Sequence, residues 1–473
     1  MQVLHKKIKI PLILLLALLL ATPGYEEEGK ILLIRDVPFI MQKPDFCGEA
    51  CIAAWLSRLG RTVSQDYIFN LSGVDPHLGR GCVTVEMKTA LERLGFKPGP
   101  VWFKVNAKRP EKEMNVLWLA LIQDLKIGIP SIVCMHYDDG PNTTEHFRLI
   151  LGYDPTKDKL IYHEPAEAGG SYRRMDRARF LKLWPLKYSG DEWTVIRMRL
   201  EGGAVPPVPE EKGFTSADFA QRVMELRKRL PKGFSYLIQK PFIVIGDEAR
   251  EDLEQRAQHT VKWFTDQIQK KYFPEDPPII YEIWLFRDNA SYRKYTREIF
   301  HDDPDTPFGY CSSEHSALIM NIATGGGTLC HEIVHAFIPS NFPECPSWFN
   351  EGLGSMYEQC GTRNGEAVGL TNWRLENLQE KVRKESLPSF ETLCGTSSSQ
   401  FYNMRKGDNY AQARYLLYYL QEKGLLEKYY REFRTNVKSD PGGFKTLKLV
   451  LNEKDMKSFQ EKWEKWVLTL RFP

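Results

Sequence analysis

The segment HEIVHAFIPSNFPECPSWFNEGLG, residues 331–354, limits the possible folds more than any other stretch of the chain. His331 and His335 are four residues apart, so on a helix they share one face and their imidazoles are close enough to grip one ion. A turn containing Pro343 and Pro346 then lets the chain double back, and a second helical pattern carries Glu351. Neutral imidazole nitrogen suits zinc, whose catalytic sites use three protein ligands and keep a position for water. His331, His335 and Glu351 supply such a set, and Glu332, beside the ligands, is placed to take a proton from that water. Gly325, Gly326 and Gly327 before the helix, with Ile333, Val334 and Phe337 around the motif, suit a buried active-site helix. The competing reading is an ordinary helix with two exposed histidines.

The ends and the composition bound the rest. Lys6, Lys7 and Lys9 precede an apolar run from Ile10 to Ala21, and the small residues Thr22 and Gly24 follow. That layout predicts a secretory signal peptide over residues 1–24, hence a secreted or periplasmic protein, with an uncleaved N-terminal anchor as the alternative. The apolar run is short for a membrane span. At 473 residues the chain exceeds one ordinary hydrophobic core, which predicts two domains. The net charge of +3 comes without a long basic block, so nothing points to a nucleic-acid partner. Nine cysteines are an odd number, so at least one thiol stays unpaired within the chain.

Residues 201–213, EGGAVPPVPEEKG, have no apolar period and read as the start of a linker. The predicted organisation is a first domain over 31–200, a linker and connecting helix over 201–234, and a second domain over 235–473. In the first, the helical patterns ACIAAWLSRLG and TVEMKTALERLGF give way to the strand-like runs PSIVCMHY, HFRLILGYD, KLIYHEP and WTVIRMRL, an α+β order. In the second, the strands FIVIGD and IIYEIWLF flank a long amphipathic helix near 248–271, and mostly helices follow. The pair Gly202-Gly203 reads as flexible spacing.

The first domain holds a second constellation. Cys47 stands where a polar loop turns into a helical pattern, and amides at a helix N-terminus stabilise a thiolate. Gln42 offers a side-chain donor for an oxyanion hole. His146, at the start of HFRLILGYD, is the candidate base, and Glu164, before Pro165, is placed to orient its imidazole. His136 and His163 compete with His146, and Cys47 and Cys51, one helical turn apart, also fit a purely structural pair.

Two resemblances follow. HEIVH with PSWFNEGLG resembles the gluzincin metallopeptidases, most closely the bacterial peptidase MA-like branch, over 235–473. This resemblance implies a mainly helical, zincin-like α+β domain, zinc on His331, His335 and Glu351, and Glu332 as general base and later acid. It also implies that SALIMNI, 316–322, is the edge strand that pairs with substrate, and that Tyr410 donates to the oxyanion, unless Tyr410 is a core aromatic. QKPDFCGEAC, HFRLILGYD, EPA and MDRARFLKLWP resemble the papain-like, bacteriocin-processing cysteine peptidases that cut after double glycines, over 36–190. That implies Cys47 as nucleophile, His146 as base, Glu164 as its partner and Gln42 in the oxyanion hole, and it offers self-processing after Gly203 as the alternative to a spacer. Glu164 departs from the usual Asp or Asn, and Gln42 lies one residue nearer Cys47 than the family's spacing. Together the two imply an exported peptidase acting on peptides or proteins, touching a membrane only if the N-terminal segment is uncleaved. The alternatives are a zinc peptidase whose first domain only binds peptides, and a non-catalytic surface binding protein on two peptidase folds.

Overall fold

A computed structural model describes residues 29–203 and 213–472. The predicted signal peptide lies outside the described residues, as does most of the Pro-rich part of the linker. No helix among the described residues is long and apolar enough to cross a membrane. The chain divides into two compact units: residues 29–73 with 81–203, and residues 74–80 with 213–472.

The first unit opens with β1 (Leu32–Leu33) and three helices, α1 (Cys47–Arg58), α2 (Gln65–Ser72) and α3 (Thr84–Arg93). The Ala-rich face of α1 is buried through Leu56, because small side chains let neighbouring elements approach closely. After β2 (Trp102–Asn106) and α4 (Pro110–Lys126) come β3 (Ser131–His136), β4 (Glu145–Asp154), β5 (Lys159–His163), β6 (Arg173–Asp176), α5 (Arg177–Leu183) and β7 (Glu192–Arg199). The sheet runs β2-β7-β3-β4-β5-β6 with β1 on β4, and every pairing is antiparallel. β3 and β4 are central and buried almost throughout, and β4 buries His146, Arg148 and Asp154 along with its apolar residues. Gly202 bridges to Phe96, and the Gly203 amide donates to Gly95 O at 3.2 Å. The glycine pair is thus tied to the first unit instead of beginning a free linker.

In the second unit α6 (Ser216–Arg229), read from sequence as a connecting helix, packs Phe219, Val223 and Leu226 against Ile243 and Ile245. β8 (Ser235–Gln239) and β9 (Phe242–Gly246) precede α7 (Arg250–Arg256), a π-helical stretch over Ala257–Lys262 and α8 (Trp263–Lys271), which together form the predicted amphipathic helix. Then follow β10 (Glu282–Phe286), α9 (Asn289–Phe300), β11 (Gly309–Ser312) and β12 (Ala317–Asn321). The sheet order is β11-β12-β10-β9-β8, with β9, β10 and β12 parallel. All residues of those three strands are buried, because helices cover both sheet faces. SALIMNI was expected at the edge, but β12 is interior: β11 pairs antiparallel with it and takes the edge. The apolar side chains of β12 demand cover on both faces, whereas GYCS is only partly buried.

Candidate metal centre and candidate thiol site

α10 (Gly327–Asn341) carries HEIVH, and α11 (Ser347–Met356), begun after Pro346, carries Glu351. One ligand atom from each of His331, His335 and Glu351 lies within 4.8 Å of the others. Glu351 Oε2 is 3.2 Å from His331 Nε2 and 3.5 Å from His335 Nε2. The remaining polar atoms of the three are engaged elsewhere. His331 Nδ1 faces Glu358 Oε1 at 3.3 Å, His335 Nδ1 meets Asn350 Oδ1 at 2.8 Å, and the Tyr402 hydroxyl donates to Glu351 Oε1 at 2.6 Å. These outer partners leave two imidazole nitrogens and one carboxylate oxygen converging, a donor set that fits zinc.

The charges agree with that fit. Burial opposes protonation of His331, yet the carboxylates of Glu351 and Glu358 outweigh it and hold its pKa up at about 10. Burial works the other way on Glu351, but bonds from His331 and His335 hold its carboxyl far below the usual range. The buried carboxylates thus favour positive charge in this pocket. Glu358 is itself clamped by Arg374, at 2.9 Å and 2.7 Å, and by the Asn372 amide at 3.0 Å.

Glycine makes the geometry possible. A Cβ on Gly354 would stand 3.0 Å from the His331 ring, so EGLG lets the imidazole lie against α11. His331 and Glu332 line a cavity of about 1200 Å³ whose walls include Trp263, Phe308, Tyr310, Arg374 and Tyr410. Tyr410, on the helix Lys406–Glu422, lies between Phe401 and the Arg374 guanidinium, each about 5.1 Å from its ring centre. Burial, reinforced by Glu351, pushes its phenol up, so it stays protonated and able to donate. Tyr410 is therefore half-buried on the cavity wall rather than enclosed in the core. Sequence reasoning missed Glu358, Arg374, Asn372 and Tyr402. Glu358 carried a weak signal, lying seven residues (two helical turns) beyond Glu351.

In the first unit, α1 begins at Cys47 as expected. The Cys47 sulfur accepts from the Phe147 amide, one residue after His146, which brings thiol and imidazole into one neighbourhood. His146 Nε2 bonds Glu164 Oε1, and Arg148 Nε donates to Glu164 Oε2 at 2.6 Å. Arg148 also donates to the carbonyls of His136 and Tyr137, so the buried guanidinium anchors the carboxylate. Burial would raise Glu164, but His146 and then Arg148 hold it below the usual carboxylate range. His163, which competed with His146 in the sequence, is packed between Phe39 and Tyr172 and lowered by burial to about 4. Gln42 donates its backbone amide to Pro165 O at 2.9 Å, beside Glu164, and its side-chain oxygen is buried with no partner among the described residues.

One expectation is corrected. Helix amides were to lower the Cys47 thiol, but burial pushes it up to about 12, and the carboxylates of Glu49 and Asp45 add to the effect. The amides of Phe147 and Gly48 oppose this and are outweighed.

Comparison with known proteins assigns the two halves differently. Residues 34–190 match the Peptidase_C39 like family, so the first unit contains a C39-like peptidase domain, as its resemblance implied. Residues 326–461 match a family described as a protein of unknown function, DUF1570. No curated protein matches the chain. Among solved structures it is similar to the peptidase domain of Streptococcus ComA, a bi-functional ABC transporter involved in a quorum sensing pathway. The identity is 19%, the match covers 35% of this chain and 100% of that one, and the TM-score is 0.24.

Proposed function

We propose that the chain is an exported peptidase, with a zincin-like zinc hydrolase in the second unit and a papain-like cysteine-peptidase site in the first. The observation that carries the zinc reading is the convergence of His331, His335 and Glu351 within 4.8 Å, with His331 and its neighbour Glu332 lining one cavity. These three residues would hold the ion, which when bound supplies a Lewis acid and a more acidic water. Glu332 takes the proton of the attacking water and passes it to the leaving amine. Tyr410 donates to the oxyanion that develops on the substrate carbonyl. The free side of β11 offers main-chain groups to an extended peptide, and Phe308 and Tyr310 stand at the cavity beside it.

In the first unit the Cys47 thiol is neutral at pH 7. His146, held at Nε2 by Glu164, takes the thiol proton at Nδ1 as the sulfur attacks the carbonyl carbon. Gln42 supplies an oxyanion donor. The raised thiol also favours a second reading, in which this unit binds peptides without cutting them.

The test is metal analysis with peptide-library cleavage by wild type, Cys47→Ala, His335→Ala and Glu332→Gln. One zinc per chain is expected. His335→Ala loses the metal, while Glu332→Gln keeps it and loses turnover about 10²–10⁴-fold. Full activity in Glu332→Gln sinks the zinc mechanism. Library cleavage unchanged in Cys47→Ala selects the binding reading for the first unit.

A further inference from the structure

All nine cysteines are free thiols, and several are bonded to groups other than sulfur. Cys51 donates to Phe147 O at 3.9 Å, Cys345 to Pro346 O at 3.8 Å, and Cys134 to Glu145 Oε2 at 3.8 Å. Cys330 and Cys360 differ, because their side chains interact with each other. Cys330 lies in the first turn of α10, immediately before His331. Cys360 opens the strand Cys360–Arg363, two residues after Glu358, the partner of His331. The two backbones also touch: a Cβ on Gly327 would stand 2.0 Å from Glu358 O, an approach that glycine alone permits. Both cysteines line the cavity that holds His331 and Glu332. Cys330 is buried, whereas Cys360 is half-buried and can be reached from solvent.

We propose that Cys330 and Cys360 form a disulfide that fastens the first turn of the HExxH helix to the strand following the Glu351 helix. The oxidant is a small disulfide such as oxidised glutathione. The Cys360 sulfur, after losing its proton, attacks that disulfide, forms a mixed disulfide and releases one thiol. The Cys330 sulfur, likewise deprotonated, then attacks Cys360 Sγ and releases the second. The protein thiols are oxidised by two electrons, and the small disulfide is reduced to two thiols. The closed loop contains His331, His335, Glu351 and Glu358, so the bond encircles the whole candidate metal centre. Constraining that loop slows the separation of its ligands.

The test oxidises the purified full-length chain with oxidised glutathione and digests it without reduction. Mass spectrometry should find the Cys330 and Cys360 peptides linked with the loss of two hydrogens, and two of the nine thiols lost to alkylation. A reductant should restore both, and Cys360→Ser should abolish the link while leaving the thiols outside the pair unchanged. Singly alkylated or glutathionylated Cys330 and Cys360, or Cys330 linked elsewhere, overturns the proposal. A second arm rests on the zinc reading: oxidised protein should yield zinc to a chelator several-fold more slowly than reduced protein, with no such difference in Cys360→Ser. Equal release from both forms overturns the fastening role. A chain that binds no zinc overturns the zinc reading, and the cross-link is then judged by mass spectrometry alone.

Discussion

Glu49 is the residue whose setting most affects the thiol site. It is fully buried two residues after Cys47, with Oε1 accepting from the Cys82 amide at 2.8 Å and Oε2 without a hydrogen-bond partner among the described residues. Burial raises its pKa from 4.5 to about 7. Above pH 7 it is therefore an anion that pushes the Cys47 thiol up. Glu49→Gln keeps the acceptor for Cys82 and removes the charge, so Cys47 should be alkylated faster at pH 8, measured with iodoacetamide. An unchanged rate would reject the electrostatic account. The same shift has a stability consequence. A carboxyl raised on folding binds more protons in the native state, so its contribution to stability is lost as pH rises from 4.5 to about 7. Thermal unfolding of Glu49→Gln should show a weaker decline of Tm across that window than wild type.

At the scale of elements, α10 and α11 make the centre by their close approach. The C-terminus of α11 is held by the buried Arg414, which donates to Ser355 O at 2.9 Å and to the carbonyls of Met356 and Leu370. Gly354 sets the approach on the other side. In an open helix Gly354→Ala would stabilise by about 1 kcal/mol. Here the added methyl meets the His331 ring at 3.0 Å, and the imidazole must shift. Zinc affinity should fall about 10-fold or more, the range seen when support of a ligand is lost. A titration giving wild-type affinity with a raised Tm would reject this packing. The same elements explain how much was legible. The His331 and His335 pairing follows from helix period, and the return of the chain to Glu351 follows from Pro343 and Pro346. The clamp on Glu358 was illegible, because Arg374 and Asn372 reach it by tertiary packing from a later helix start. The edge position of β11 was also hidden, since strand order depends on pairings across the whole sheet.

At the scale of the whole molecule, residues 74–80 belong to the unit that otherwise begins at 213. His77 O accepts from the Tyr236 hydroxyl at 2.9 Å, His77 Nε2 accepts from the Ile238 amide at 3.1 Å, and Leu78 O accepts from Arg227. A fragment starting at 213 lacks these partners and leaves α6 uncovered there. It should unfold at lower urea than the second unit in the full chain, and a synthetic peptide of residues 74–80 should restore part of the loss; equal midpoints would reject the assignment. By itself the sequence determined what rests on short-range periodicity. Four-residue spacing put two imidazoles on one helix face, Pro-rich turns reversed the chain, and polar-to-helical transitions started α1 at Cys47. Tertiary structure alone decided the electrostatics and the long-range partners. Whether Cys47 sits as thiolate or thiol depends on burial and on Glu49 and Asp45. Which groups hold the His331, His335 and Glu351 side chains depends on where Tyr402, Glu358 and Arg374 arrive in space, because charge and hydrogen bonding act through distance and solvent exposure rather than position along the chain.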